Sequence, residues 1–228
     1  MVFDANGLCR FSNPFATDIL CMNPGVDPLG KSMQTLLGTE VAAERMALVG
    51  KVVASQQTVA IRQIVRGHCS ESTIFHVKND KDATPFVLVT TRFEMPIEPE
   101  PYRNIPVSES KFMELGPLDC LSDKELMLLV HIGKGWPLKR IASQLRTPIR
   151  TIENRRATLG KKLDANSLVA LAKTAHLSGI DDHHLALTRV KAPGTTHALK
   201  IHPSHASKSN LTPSQDRDAS SSQPSDPS

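Results

Sequence analysis

Residues 121–163 read LSDKELMLLVHIGKGWPLKRIASQLRTPIRTIENRRATLGKKL, and the punctuation of this stretch decides its fold. Ser122 and Glu125 sit at capping-box spacing, so each side chain can satisfy the other's backbone N–H at the start of a helix. Leu121 and Leu126 flank that cap as a hydrophobic staple, and Leu128, Leu129 and Ile132 continue at helical spacing. Gly135 suits a C-terminal cap, and Pro137 suits the first turn of a second helix whose apolar stripe is Ile141, Ala142 and Leu145. Arg146 and Thr147 leave room only for a tight turn. Thr147 is then the expected N-cap of a third helix, with Pro148 in its first turn.

At about 100° per residue, Ile152, Leu159 and Leu163 share one face of that third helix. Arg150, Asn154, Ala157, Thr158 and Lys161 share the other. An amide that can pair with adenine, small neighbours that admit close approach and flanking cations that hold phosphates together suit a surface that enters the major groove. A plain three-helix bundle with a solvated charged face would show the same periodicity. Charge favours the first reading. Residues 121–180 carry 11 Lys and Arg against 4 Asp and Glu, a net +7, whereas residues 1–120 carry 11 against 14, a net −3. A basic module beside a mildly acidic one favours a polyanion as partner of the basic part.

The segment resembles the LuxR-type (NarL-type) DNA-binding domain without gaps from Leu121 to about Ile180. Matching positions include Ser122, Glu125, Leu129, Ile132, Lys139, Ile141, Ala142, Leu145, Thr151, Ile152, Asn154, Lys162 and Leu163. The resemblance implies a four-helix domain. It also implies a DNA-contact set of Lys139, Arg150, Thr151, Glu153, Asn154, Arg155, Ala157, Thr158, Lys161 and Lys162. The fourth helix, 166–179, would offer Leu168, Leu171, Ala172 and Ala175 as a stripe of which one part packs on the core and an exposed part pairs two copies. Four positions depart from the family pattern. Glu153 stands where a basic or polar residue is usual, Arg155 where His is frequent, Gly160 where an apolar residue is usual, and Arg146 where the central turn usually has Gly.

The first half has another character. Strand-like runs at 1–4 and 8–12 flank Ala5-Asn6-Gly7, a hairpin signal. Asn13-Pro14 starts a short helix, residues 23–30 form a Pro/Gly loop, and 42–56 is an amphipathic helix through Met46, Val49, Val52 and Val53. Three strand-like runs follow at 58–66, 72–78 and 85–94, with a turn at Asn79-Asp80-Lys81-Asp82. On the opening VFDANGLCRFSNPFATDIL, on LGKSMQTLL at 29–37 and on the closing strands, this half resembles a PAS sensor domain. The expected fold class is therefore an α+β PAS-like domain, with a five-stranded antiparallel sheet and helices, over 1–95. A Pro-rich linker over 96–119 follows, with a helical lead-in at 111–115, then the all-α helix-turn-helix domain over 120–180 and a disordered tail over 181–228. PAS domains usually have a helical segment before the first strand, so the sensor is expected to be trimmed, or its start misplaced.

No G-x-x-x-x-G-K-[ST], G-x-S-x-G or H-E-x-x-H motif occurs, and no enzyme is expected. Cys9, Cys21, Cys69 and Cys120 are widely spaced and read as reduced thiols. Cys21 lacks a flavin-binding context and helix 42–56 lacks a haem-ligating His, so no cofactor is expected. His183, His184, His197, His202 and His205 are spaced irregularly, so no metal site is expected. Without an apolar run of about 18 residues or a signal peptide, the expected location is the cytoplasm, with no membrane partner. The implied function is sequence-specific, homodimeric binding to double-stranded DNA under control of a signal. A contact with RNA polymerase stays open, as does a small-molecule ligand or a sensor kinase acting on the first half. Two alternatives also stay open: a sigma-factor-like promoter-binding protein, and a signalling adaptor with a degenerate helix-turn-helix.

Overall fold

In the computed structural model, which describes residues 1–20, 26–78, 85–93 and 104–191, the opening hairpin is built on one carboxylate. Asp4 is buried, and its Oδ1 accepts from the N–H groups of Asn6 (2.9 Å) and Leu8 (3.0 Å) while Oδ2 takes Arg10 (2.7 Å). These contacts hold its pKa below the ordinary value although burial opposes them. The turn so fixed joins β1 (Val2–Asp4) to β2 (Cys9–Phe11). Asn13 then caps α1 (Pro14–Leu20), and α2 (Met33–Leu37) and α3 (Thr39–Ser55) follow. The strands β3 (Val59–Val65), β4 (His68–Val77) and β5 (Phe86–Arg92) complete the elements read from the sequence. The turn expected at 79–82 lies outside the described residues.

The sheet is larger than expected and not purely antiparallel. Its order is β2-β1-β5-β4-β3-β6-β7, seven strands among the described residues. The first five pair antiparallel. The sixth, β6 (Val107–Glu114), lies parallel to β3, and the seventh, β7 (Thr188–Val190), parallel to β6. Thus part of the stretch read as linker is a strand, and residues 111–114 of the lead-in expected to be helical at 111–115 are the end of that strand. Likewise the stretch read as a disordered tail contains a strand at 188–190; residues 192–228 lie outside the described residues. Parallel partners must be far apart in sequence, so neither strand has a local turn signal to announce it.

A bulge in β6 departs from the ladder between Arg62 and Ile64. There Glu44 of α3 takes over, accepting from the Ser110 hydroxyl (2.8 Å) and the Lys111 N–H (2.9 Å). At the end of β6 the Glu114 carboxylate accepts from the N–H groups of Arg66 (2.5 Å) and Gly116 (2.8 Å), and its carbonyl accepts from Gly67 (2.9 Å). Gly67 and Gly116 have φ of +73° and +49°. A Cβ on Gly67 would lie 2.6 Å from the Leu115 carbonyl oxygen, and one on Gly116 2.8 Å from Arg66 Cα, so the two turns interlock backbone to backbone.

The chain continues through a 3₁₀ turn (Gly116–Cys120) into α4 (Asp123–Gly133), α5 (Leu138–Gln144), α6 (Ile149–Lys162) and α7 (Leu168–Ser178). The capping box forms as read: Ser122 N–H donates to Glu125 (2.8 Å), and Glu125 N–H to the Ser122 hydroxyl (3.4 Å). Leu121, Leu126, Leu129, Ile141, Ile152, Leu159 and Leu171 are buried together, and Ile64, Cys69, Met113 and Leu115 from the sheet join the same cluster. A second cluster lies between α2, α3 and the sheet, around Phe3, Val49, Val52 and Ile74.

Helix α4 meets α7 at Gly133, where a Cβ would stand 2.6 Å from that of Ala175. Helix propensity alone would make Gly133→Ala stabilising by about 1 kcal/mol. The contact decides otherwise: urea unfolding of Gly133→Ala is expected to show a net loss of about 1–2 kcal/mol, because α7 must be pushed away from α4.

Candidate functional site

Helix α6 buries Ile152 and Leu159 and half-buries Leu163. Its opposite side carries Arg150, Glu153, Asn154, Ala157, Thr158 and Lys161, all exposed. Thr151 and Arg155 are half-buried on the flanks, and Lys139 is exposed on α5. The Thr158 hydroxyl donates to the Asn154 carbonyl (3.1 Å), which leaves the Asn154 amide group on the open face. Glu153 has no ion-pair partner among the described residues. Lys162 differs from its neighbours. Its Nζ is bound to Glu125 (2.7 Å) and to the Cys120 carbonyl (3.0 Å), so it ties the last turn of α6 to the cap of α4. Burial works to raise the pKa of Glu125, but Lys162 and the Ser122 bonds overcome it and hold it below the ordinary value.

The turn before α6 is not capped as expected. Arg146 takes a left-handed φ of +47°, the conformation that makes Gly the usual residue there. Thr147 N–H then bonds back to the Ala142 carbonyl and its hydroxyl to the Leu145 carbonyl (3.0 Å), so Pro148, not Thr147, is the N-cap. Gly160, the other departure, has a steric reason: a Cβ there would lie 2.9 Å from the Ala165 carbonyl oxygen as the chain turns towards α7. On α7 itself, Leu171 and Ala175 are buried in the core and cannot pair copies. Leu168 and Ala172 remain at least partly accessible, and Val169 (78% exposed) and Leu177 (59%) extend the apolar surface.

The corner between α4 and α5 carries an aromatic stack. The rings of His131 and Trp136 lie 4.7 Å apart and nearly parallel, and the Arg140 guanidinium sits 4.1 Å from the Trp136 centroid. Burial pushes the His131 imidazole below its ordinary value; Asp182 opposes that shift and Lys134 adds to it.

A second site lies inside the sheet half. A cavity of about 70 Å³ is bounded by β1, α2, α3 and the inner face of the sheet, with Val190 of β7 in its wall. Phe3, Val49 and Ile74 are among its apolar lining. One polar row crosses it: Arg45 donates to Gln63, Gln63 to Ser72 (2.8 Å), and Ser72 shares a hydrogen bond with Thr91 (2.8 Å). Burial lowers the Arg45 pKa, and Glu44, its ion-pair partner, opposes that effect. This row was not read from the sequence, although it left a mark there. Arg45 falls on the stripe Val41, Val49, Val52, a cation on an otherwise apolar face. Among the described residues no three His, Cys, Asp or Glu side chains gather to hold a metal, and no helix is long and apolar enough to cross a membrane. Cys21 and the histidines beyond His184 lie outside the described residues.

No protein-family model matches the chain, and no curated protein does. Among solved structures it is similar to the Vibrio cholerae VqmA dimer in the absence of target DNA, described as a LuxR-type receptor: 18% identity over 82% of this chain and 87% of that one, TM-score 0.37. The VqmA–ligand–DNA complex of the same bacterium gives 16% identity over 81% and 86%, TM-score 0.39. A phage VqmA–DPO complex gives 14% over 78% and 82%, TM-score 0.29. Likenesses of this size do not establish a common fold.

Two outcomes follow from this geometry. Arg146→Gly is expected to stabilise the protein by about 0.5–1 kcal/mol in urea unfolding, since relief of the left-handed strain exceeds the added chain entropy. His131 has a folded pKa below the unfolded one, so it costs nothing above the unfolded value and destabilises as pH falls below about 6.5. Thermal unfolding between pH 7 and pH 5 should therefore show a smaller loss in His131→Gln than in wild type.

Proposed function

We infer that the chain is a transcription regulator of LuxR type, in which α4–α7 bind double-stranded DNA and the sheet half senses a signal. The observation that carries this reading is the α6 face. Arg150, Asn154, Ala157, Thr158 and Lys161 are exposed together opposite the buried Ile152 and Leu159, in a segment of net charge +7. On a helix held by its neighbours, that surface offers bidentate hydrogen bonding to a base edge at Asn154 and phosphate contacts at Arg150 and Lys161. Lys139 and the half-buried Thr151 and Arg155 support the backbone contacts. Lys162 serves the fold instead.

The reading extends to assembly and signal. The helix-turn-helix unit spans about 120–180 and the sensing unit about 1–95, with β6 belonging to the sensor's sheet. Two copies pair through the accessible part of α7, Leu168, Val169 and Ala172, and read two half-sites about one helical turn apart. The cavity takes a small, neutral, largely apolar molecule with one or two polar atoms. The Arg45 charge already has Glu44 as partner, and the polar row offers hydrogen bonds but no uncompensated charge. The adaptor reading keeps one observation in its favour, the exposed carboxylate of Glu153 on the shoulder of the same face.

Duplex binding with salt titration separates the two. Asn154→Ala should lose about 1–3 kcal/mol of discrimination at one base position. Lys161→Ala should weaken binding to every sequence and reduce the salt slope by about one. Glu153→Lys should tighten binding to a random duplex at low salt. Wild-type affinity for all duplexes in all three variants would sink the DNA reading and favour the adaptor.

A further inference from the structure

After α7 the chain does not leave the molecule. Gly179 ends the helix in a left-handed turn beside Cys69 of β4, and the segment that follows runs back along α4. Asp182 pairs with Lys134 at the C-terminal end of α4 and lies 3.8 Å from His131 Nδ1. A 3₁₀ turn (His184–Ala186) leads into β7, where Arg189 reaches the other end of the same helix. Its Nη1 donates to the Leu121 carbonyl (2.6 Å), and its Nη2 lies 2.8 Å from the Asp123 carboxylate. The next residue, Val190, is in the wall of the sheet cavity. One short strand therefore touches the cavity with one side chain and the start of the helix-turn-helix with its neighbour.

We propose that residues 179–191 are a latch that couples the cavity to α6: whatever shifts Val190 in the cavity wall shifts Arg189 at the start of α4. This rests on the reading of the cavity as a sensing pocket and of α6 as the DNA-contacting helix. The contact path is continuous. Arg189 holds Leu121 and Asp123, on either side of Ser122; Ser122 is bonded to Glu125; and Glu125 holds Lys162 in the last turn of α6. The latch is also built to be weak. Strand β7 has three residues and pairs only with β6 among the described strands. The Arg189 Nε is buried without a hydrogen-bond partner among the described residues, as is its Nη2, which makes an ion pair with Asp123 but no aligned hydrogen bond. A covered polar atom whose hydrogen bond is unmade costs free energy, which lowers the stability of the closed latch. Coupling through such a contact requires only that both ends bias the same two-state element.

Amide hydrogen exchange of the full chain tests this. The reporters are the Glu125 and Leu126 N–H groups, which bond to Ser122. Arg189→Ala and Val190→Ala should each speed their exchange about tenfold. Thr188→Ala, with an exposed side chain in the same strand, should not, and the Ile141 amide of α5 should stay unchanged in all three. Arg189→Lys, which keeps the charge and loses the fork, is the milder version should the alanine variant unfold. If Val190→Ala left Glu125 and Leu126 at wild-type rates while Arg189→Ala did not, the strand would be a local anchor and the coupling would be wrong. If neither variant moved them, the latch itself would be wrong. Failure of the DNA reading would show separately, in wild-type duplex titration, without altering these rates.

Discussion

Glu114 stands where the sheet and the helices meet, and most of the architecture depends on how it is held. Burial alone raises the pKa of its carboxylate, and the N–H groups of Arg66 and Gly116 counter that by bonding to it. Together with the Gly67 N–H on its carbonyl, these bonds fix the end of β6 against the β3–β4 turn. The direction in which the chain leaves the sheet is thereby set. Leu115, Leu118 and Leu121 follow at once and are all buried. They carry the sheet's hydrophobic contacts into the helix-turn-helix, so that Ile64 and Leu159 belong to one cluster. Two modules that a flexible linker would leave independent instead share apolar burial, the dominant stabilising term in folding.

This junction also explains the division of labour on α6. Under the proposed DNA-binding function, α6 must be rigid while most of its outer surface remains unoccupied. Rigidity comes from the buried side through Ile152 and Leu159, and from Lys162, whose ammonium is spent on the α4 cap. The remaining outer residues are left free of the fold. The cavity follows a comparable rule. Its polar row is internally satisfied, which keeps a buried arginine tolerable next to Val49 and Ile74.

Helices α4–α7 were legible because their signals are local. Ser122 with Glu125, Pro137, Pro148 and the spacing of Ile152 and Leu159 each act within a few residues, and no distant partner overrides them. Strand β6 was not legible. VSESKFME has little alternation and follows prolines, and it becomes a strand only because β3 pairs with it from far upstream. The three residues of β7 are hidden for the same reason in a polar stretch. Periodicity grouped Leu168, Leu171, Ala172 and Ala175 on one stripe, but it cannot say where the stripe turns from core to surface; the approach of α7 to Gly133 decides that. Lys162 read as a cation among cations because its partner, Glu125, lies a whole motif away.

The parallel pairing of β6 and β7 has a consequence for how the protein is made. Synthesis proceeds from the N-terminus, and domains generally fold in that order. Here the last strand of the sheet follows the last helix of the helix-turn-helix, so the first half cannot finish its own sheet when it emerges. The outer edge of β6 at Phe112–Glu114 keeps unpaired N–H and C=O groups until residues 188–190 have left the ribosome, a template on which a neighbouring nascent chain can add. Long-range parallel pairing is also slow to form. Truncation before β7 therefore removes more than a short strand. It leaves a chain that carries both of its modules with Phe112–Glu114 of β6 permanently uncovered.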